Sequence, residues 1–221
     1  MLGTDEGYAQ TYQEAWGNLS SYYKGNGDLT KIGSYKWNKT GENTWSTSTT
    51  NITNLNTNYL TYLDGKNAKW KTMIADTTWY VGGMHSTNGY KSNAKTAYTY
   101  EVGANKDATT VTSKIGLMYL SEYYYAANKD YWTLPGYDDD GNDYRTAIND
   151  NWLYTGLCEW TISRISYSDF DFTFIVGYTG GISPGNVGDF AFAVRPSFSL
   201  SSSIKFTSGE GTAVNPIRLK I

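Results

Sequence analysis

The sequence is poor in the side chains on which most catalysis depends. It contains one cysteine, one histidine and four prolines in 221 residues. Cys158 therefore has no partner within the chain, which excludes a disulfide framework. A zinc site takes three or four Cys, His or carboxylate ligands at short spacing, and Cys158 and His85 stand far apart with no such spacing around them. Basic residues are also scarce: 18 Lys+Arg stand against 21 Asp+Glu, for a net charge of −3. That balance supplies no broad basic field for nucleic acid or anionic lipid. No apolar run reaches the roughly 18 residues of a membrane-spanning helix, and Met1-Leu2-Gly3-Thr4 opens no signal peptide. Walker A, dinucleotide-binding, zincin and Gly-x-Ser-x-Gly sequences are all missing.

What is abundant is aromatic and small polar. There are 21 Tyr, 8 Trp and 7 Phe beside 28 Thr, 19 Ser and 18 Asn. Such a composition reads as an extracellular or cell-surface β-rich protein, and it favours a chain that follows an export or anchor segment over a cytoplasmic one. At 24.7 kDa the chain can bury a sizeable core without staples, and with no linker or repeat in view residues 1–221 read as one domain.

Hydrophobic spacing predicts two helices and a strand-rich remainder, an α+β arrangement. Tyr8, Tyr12, Ala15, Trp16, Leu19 and Tyr23 recur at helical spacing over about 5–23, with Thr4 or Asp5 as cap. Leu55, Tyr59, Leu60, Leu63, Trp70, Met73 and Ile74 mark a second helix over 54–74, broken at Asp64-Gly65. Strands are expected at Ile32–Trp37, Thr44–Thr47, Thr77–Val81, Ser113–Leu120, Trp152–Arg164, Thr173–Tyr178, Phe190–Leu200 and Ala213–Lys220. Within Trp152–Arg164 the even positions Trp152, Tyr154, Gly156, Cys158, Trp160 and Ile162 form one apolar face of period two. Cys158 is then a buried small hydrophobe of low reactivity. Arg195, between Val194 and Pro196, is expected to be partly buried and paired with backbone carbonyls or a carboxylate.

Candidate chemistry outside that pattern is thin. His85 sits in a turn-rich loop and reads as a surface residue. Asp138-Asp-Asp140-Gly141-Asn142-Asp143 is the densest carboxylate cluster. On a calcium-loop frame with Gly141 sixth, the first and twelfth positions are Gly136 and Ala147, so both essential carboxylates are missing. The readings are a weak Ca²⁺ site and a solvated Asp/Gly turn, and the frame favours the turn. The sequons at Asn18, Asn38 and Asn51 carry little weight in a chain this rich in Asn and Thr.

One stretch stands out by omission. From Thr161 to Ile204 there is no Lys, Glu, Gln, Met or Trp. Against the rest of the chain as baseline, chance absence is on the order of 10⁻⁴. Every residue type present there has a codon ending in a pyrimidine.

The strings Lys114-Ile-Gly-Leu-Met-Tyr-Leu-Ser-Glu-Tyr-Tyr-Tyr-Ala126, Asn151-Trp-Leu-Tyr154, Glu159-Trp-Thr-Ile-Ser-Arg164, Ala193-Val-Arg-Pro-Ser-Phe198 and Thr207-Ser-Gly-Glu-Gly-Thr212 with Asn215-Pro216 resemble a known family. They are similar to the C-type-lectin-fold variable proteins of gut bacteria diversified by diversity-generating retroelements, some of which sit behind pilin-like or other surface anchors. The resemblance covers about residues 55–221. It implies a C-type lectin-like fold, two helices with an antiparallel strand-rich C-terminal half, and a variable ligand-binding segment at about 164–193. Arg164, Phe174, Val176, Gly180, Ile182, Val187, Val194, Arg195 and Phe198 would be fixed scaffold. The diversified, ligand-binding positions would be Tyr167, Asp169, Phe170, Asp171, Ile175, Tyr178, Thr179, Ser183, Asn186, Asp189, Phe190 and Phe192. Of these, Tyr167, Asp169, Phe170, Asp171, Tyr178, Asn186, Asp189 and Phe190 are expected on one exposed face.

The implied function is non-enzymatic: a bacterial surface adhesion or display protein with a hypervariable face for a protein or glycan on another cell or phage. No nucleic-acid or membrane contact by the chain, no cofactor, no metal and no catalytic residue is expected. The tripeptides of Ca²⁺-dependent sugar-binding lectins are absent, and so are the paired cysteines of formylglycine-generating enzymes. Two alternatives stand beside it. One is a structural pilus or surface subunit without a dedicated ligand. The other is a cell-wall or glycan-acting enzyme using a carboxylate such as Glu159 or Asp169.

Overall fold

The computed structural model describes residues 7–85, 89, 92–102, 109–134, 150–166 and 171–220. Their architecture is mixed α and β, with short helices and small antiparallel sheets.

The chain enters as a strand where a helix was expected. β1 (Tyr8–Thr11) pairs antiparallel with β2 (Gly33–Tyr35), and Tyr8 packs edge-on against Tyr35 at 5.4 Å. The helix starts only at Tyr12, and its cap is Thr11. The Thr11 hydroxyl accepts from the Glu14 amide while Glu14 Oε2 accepts from the Thr11 amide at 2.9 Å, a reciprocal cap. After Trp16 the helix tightens into a 3₁₀ segment, Gly17–Tyr22. The expected caps Thr4 and Asp5 lie outside the described residues.

The second predicted helix starts earlier than its spacing suggested and opens as a wide turn. Thr50–Tyr59 is π-helical and runs directly into the α-helix Leu60–Lys66, after which Trp70–Met73 forms one more turn. Side chains take over backbone work here. Asn56 Nδ2 donates to the Asn51 carbonyl at 3.0 Å and to the Ile115 carbonyl at 2.8 Å, while the Thr57 hydroxyl donates to the Ile52 carbonyl. The expected strand at Thr44–Thr47 is instead a 3₁₀ turn, Trp45–Thr47.

The central sheet orders β6 (Glu159–Arg164), β7 (Phe172–Val176) and β8 (Ile182–Asn186) as consecutive antiparallel neighbours. Cys158, Trp160 and Ile162 point to one side, where Ile175 and Phe192 join them in the largest core cluster. Phe174, Val176 and Ile182 fill a second cluster on the other side with Met118, Tyr123 and Tyr124. The period-two reading of Cys158, Trp160 and Ile162 therefore holds, and Cys158 is buried. It does not extend back to Trp152, which is 78% exposed. Asp150 and Gly156 take positive φ, and a Cβ on Gly156 would lie 1.8 Å from the Tyr22 carbonyl oxygen, so the backbone turns before the strand begins.

β8 has no counterpart among the expected strands. Pro184 interrupts its pattern, and the strand occupies the sheet edge where a missing N–H is tolerated. A Cβ on Gly185 would meet Ile175 and Trp160, each at 2.7 Å, so glycine lets β8 close over the core.

The expected strand Phe190–Leu200 is broken. Phe192 bridges to Tyr35 and Ala193 to Glu159, and Pro196–Ser197 (β9) pairs with Gly116–Leu117 (β5). Ser113–Leu120 also divides: Thr110–Ser113 (β4) pairs with Thr77–Tyr80 (β3), β5 follows, and a helix begins at Leu120. That helix, Leu120–Tyr125, packs on another absent from the sequence reading, Ala94–Glu101. The C-terminal hairpin joins β10 (Lys205–Ser208) to β11 (Arg218–Lys220), shorter than the expected Ala213–Lys220. Among the described residues no helix is long and apolar enough to cross a membrane.

Candidate functional site

The expected binding positions divide into five groups. Tyr167, Asp169 and Phe170 lie outside the described residues, as does the Asp138–Asp143 cluster. Asp171, Asn186, Asp189 and Phe190 gather at one end of the β7–β8 pair. Tyr178 and Thr179 occupy the turn at the opposite end, about 17 Å away along five-residue strands. Ser183 lies between them on β8, half-buried. Ile175 and Phe192 are core residues. Trp160 meets Phe192 edge-on at 4.7 Å, and Ile175 sits opposite Trp160 across the ladder, so neither is available at a surface. The single exposed face expected of the eight side chains thus narrows, among those described, to Asp171, Asn186, Asp189 and Phe190.

That smaller face is tightly built. Asn186 Nδ2 donates to Asp171 Oδ2 at 2.9 Å, and its Oδ1 accepts from the Gly188 and Asp189 amides, each at 3.0 Å. The Val187 amide donates to the Asp171 carbonyl at 2.8 Å, and the Phe190 amide to the Asn186 carbonyl at 3.2 Å. Phe190 is 48% exposed, yet one side of its ring stacks on Phe192 at 5.8 Å and 18°. Phe192 is itself stacked on Trp16, whose indole N–H holds the Ala191 carbonyl at 3.0 Å. The exposed ring therefore rests on the buried Phe192 and, behind it, the half-buried Trp16.

The chain on the two sides of residues 167–170 is clamped by a residue that sequence reasoning missed. Buried Asn43 donates through Nδ2 to the Ile165 carbonyl at 2.9 Å and to the Phe172 carbonyl at 2.7 Å. The Ile165 amide also donates to the Phe172 carbonyl, and the Ser166 amide to Met84. A second support is the Asn38–Gly41 turn. The Asn38 amide donates to the Val187 carbonyl, and a Cβ on Gly188 would come within 2.9 Å of Gly41. Nothing in the sequence tied Asn38 and Gly41 to Val187. Tyr178 has separate company: it packs edge-on against Tyr22 at 4.9 Å, and its carbonyl accepts from the Tyr154 hydroxyl at 2.8 Å.

Two carboxylates lie buried in the scaffold. Glu159 pairs with Arg195 and accepts from the Thr155 hydroxyl at 2.5 Å. The expectation that Arg195 is partly buried and carboxylate-paired holds. Burial pushes the Glu159 carboxyl up, and the guanidinium beside it opposes that shift. Glu101 accepts from the Leu120 amide at 2.9 Å and the Ser121 amide at 3.0 Å, and it is bonded to the Ser163 hydroxyl. Burial raises its carboxyl to about 7. Both groups tie chain segments together: Glu159 joins β6 to the 193–197 segment, and Glu101 joins two helices to β6. Among the described residues no group of three His, Cys, Asp or Glu side chains is placed to hold a metal ion.

No protein-family model, curated protein or solved structure matches the chain.

Proposed function

We propose that the chain is a non-enzymatic ligand-binding module of C-type lectin-like fold, displayed outside the cell or on its surface, with a hypervariable face of the kind diversified by retroelements. The observation that carries this reading is a division within residues 171–192. Phe174, Val176, Ile182 and Val187, the positions the family resemblance marks as scaffold, are buried. Of the described positions marked as diversified, Asp171, Tyr178, Thr179, Ser183, Asn186, Asp189 and Phe190 retain exposure, whereas Ile175 and Phe192 are buried and stand outside that division. Such a surface can change its side chains while its backbone stays fixed, so the ordering cost is met at folding rather than at binding. An aromatic ring flanked by Asp and Asn is the composition of an antibody-like contact surface. Glu159, the best candidate for an enzyme, is committed to Arg195 and Thr155, which favours a structural role for it. The ligand class is a protein or glycan on another cell or phage.

Amplicon sequencing of the locus across a cell population tests the reading. Substitutions should concentrate between Thr161 and Phe198, fall on the surface positions, and spare Phe174, Val176, Ile182 and Val187. A reverse-transcriptase gene and a near-copy of the segment should lie nearby. Uniform or absent variation with no near-copy would overturn it.

The subunit reading draws on one observation. The β10–β11 hairpin exposes Phe206, Ile217 and Leu219 together, an apolar surface suited to subunit contact.

A further inference from the structure

A cavity of about 460 Å³ opens between the Ala94–Glu101 and Leu120–Tyr125 helices, the turn at Trp152 and the segment leading into β9. That volume lies within the range of small-ligand clefts, roughly 300–1,000 Å³. None of its lining residues belongs to the positions read as diversified, so the cavity would stay constant while the β7–β8 face varies.

Three aromatic side chains border it. Tyr98 and Tyr125 meet edge-to-face at 6.5 Å and 74°, so their ring faces stand nearly perpendicular. Trp152 leaves most of its surface in solvent, although a Trp in a folded chain is ordinarily well buried. Its backbone is nonetheless fixed. The Trp152 amide donates to the Ala126 carbonyl, while Asn151 donates to the Tyr123 carbonyl at 2.8 Å and accepts from the Leu153 amide at 2.9 Å. The indole is an exposed platform on a pinned turn.

The polar groups are of opposite sign. Glu122 Oε2 accepts from the Tyr119 amide at 2.8 Å, and Oε1 has no hydrogen-bond partner among the described residues. Arg195 commits Nη2 to Glu159 and Thr155, and its remaining N–H groups have no hydrogen-bond partner among the described residues. A net cation in this cavity meets the Arg195 guanidinium, and a net anion meets the Glu122 carboxylate. A neutral ligand that both donates and accepts, with apolar faces for the rings, satisfies all of them.

We propose that this cavity is a constant binding site for a neutral saccharide, independent of the variable face. Sugar hydroxyls donate to Glu122 Oε1 and accept from Arg195, while the C–H faces of the sugar rings lie against Trp152 and the tyrosines. No metal is required. Burial holds the Glu122 carboxyl above its ordinary value, so binding shifts with pH in the acidic range.

Saturation-transfer NMR on the intact chain tests this with N-acetylglucosamine, diacetylchitobiose, cellobiose, maltose and lactose, each at about 10 mM to detect millimolar affinity. Choline chloride and sodium phosphate serve as charged probes. At least one saccharide should give ring-proton transfer. Trp152→Ala should weaken it about tenfold or more, Trp152→Phe should restore part of it, and Phe190→Ala should leave it unchanged. Trp152 is exposed, so its variants should keep the wild-type melting curve. No transfer from any saccharide, or transfer that survives Trp152→Ala, would overturn the proposal. Loss through Phe190→Ala would also overturn it, by moving binding to the variable face. Binding of choline or phosphate without any saccharide would overturn it in favour of a charged ligand.

Discussion

The β6–β8 sheet and the β10–β11 hairpin use the same antiparallel ladder to opposite effect. In the sheet, Trp160 and Phe174 are fully buried on its two sides, and most of the six residues of β6 are inaccessible. In the hairpin every strand residue is exposed, including Phe206, which faces Leu219 directly across the ladder and is 62% exposed. Each ladder carries one register shift, between Trp160 and Arg164 in the sheet and between Phe206 and Ser208 in the hairpin. What separates them is cover: a two-stranded hairpin alone is marginal in water, and backbone hydrogen bonds exchanged against water contribute little net. The sheet is rigid because packed layers lie on both faces, and that rigidity lets its β7–β8 end serve as a platform.

The largest expected effect breaks the sheet's cover. Trp160 is 0% exposed, donates through its indole to the Tyr35 carbonyl at 2.7 Å and packs under Gly185. Trp160→Ala should cost about 3–5 kcal/mol in urea unfolding, the range for a core aromatic. A loss under 1 kcal/mol would mean that the sheet holds without its central ring.

Much of this sheet was legible in the sequence, for a local reason. Cys158, Trp160 and Ile162 alternate without a break, and Thr173–Tyr178 anticipates β7 closely. Arg195 could be read as paired because a guanidinium between Val194 and Pro196 has nowhere else to discharge its donors. β8 escaped because Pro184 and Gly185 break the apolar alternation of a strand, and only tertiary placement at an edge makes them one. The Leu120–Tyr125 helix escaped because six residues, half of them tyrosine, carry too little periodicity. The opening helix was misplaced because Tyr8 satisfies a helical spacing and a pairing with Tyr35 equally well, and β2 decides between them. The candidate face was legible at Asp171, Asn186, Asp189 and Phe190. Asn43 and the Trp152 cavity were not, since their partners come from segments up to 129 residues apart.

The next effect is read through pH. The Glu101 carboxyl is raised by burial from 4.5 to about 7 in the folded chain. Below pH 4.5 both states hold the proton and the group contributes nothing differential. Between 4.5 and 7 the unfolded chain ionises first, so stability falls as pH rises, and above 7 the penalty is constant. The full penalty is on the order of 3 kcal/mol. Glu101→Gln should flatten this slope in urea melts across that window. An unchanged slope would assign the pH dependence to other groups, such as Glu122 and Glu159, whose raised values act in the same direction.

Asn43 sharpens the comparison at the site. Its amide links the chain before residue 167 to the chain after residue 170, holding the Ile165 and Phe172 carbonyls. Asn43→Ala should cost about 1–3 kcal/mol, the penalty for leaving buried polar groups short of a partner. Amide exchange at Val187 should speed up with it, because that N–H bonds the Asp171 carbonyl beside the released end. A large stability loss with Val187 still protected would confine the role of Asn43 to β6.

The smallest effect belongs to the hairpin. Phe206 is mostly in solvent, so replacing its ring by a polar side chain removes little transfer energy. Phe206→Ser should therefore shift unfolding by no more than about 0.5 kcal/mol, against several for Trp160→Ala at an identical type of ladder. The comparison breaks if Phe206→Ser destabilises the isolated chain by more than about 1 kcal/mol, for then the hairpin would be cooperative with the sheet. It sharpens if stability holds while concentration-dependent association, followed by sedimentation, is lost. An exposed ring that matters only in the associated state serves contact between subunits, and its ladder exists to present it.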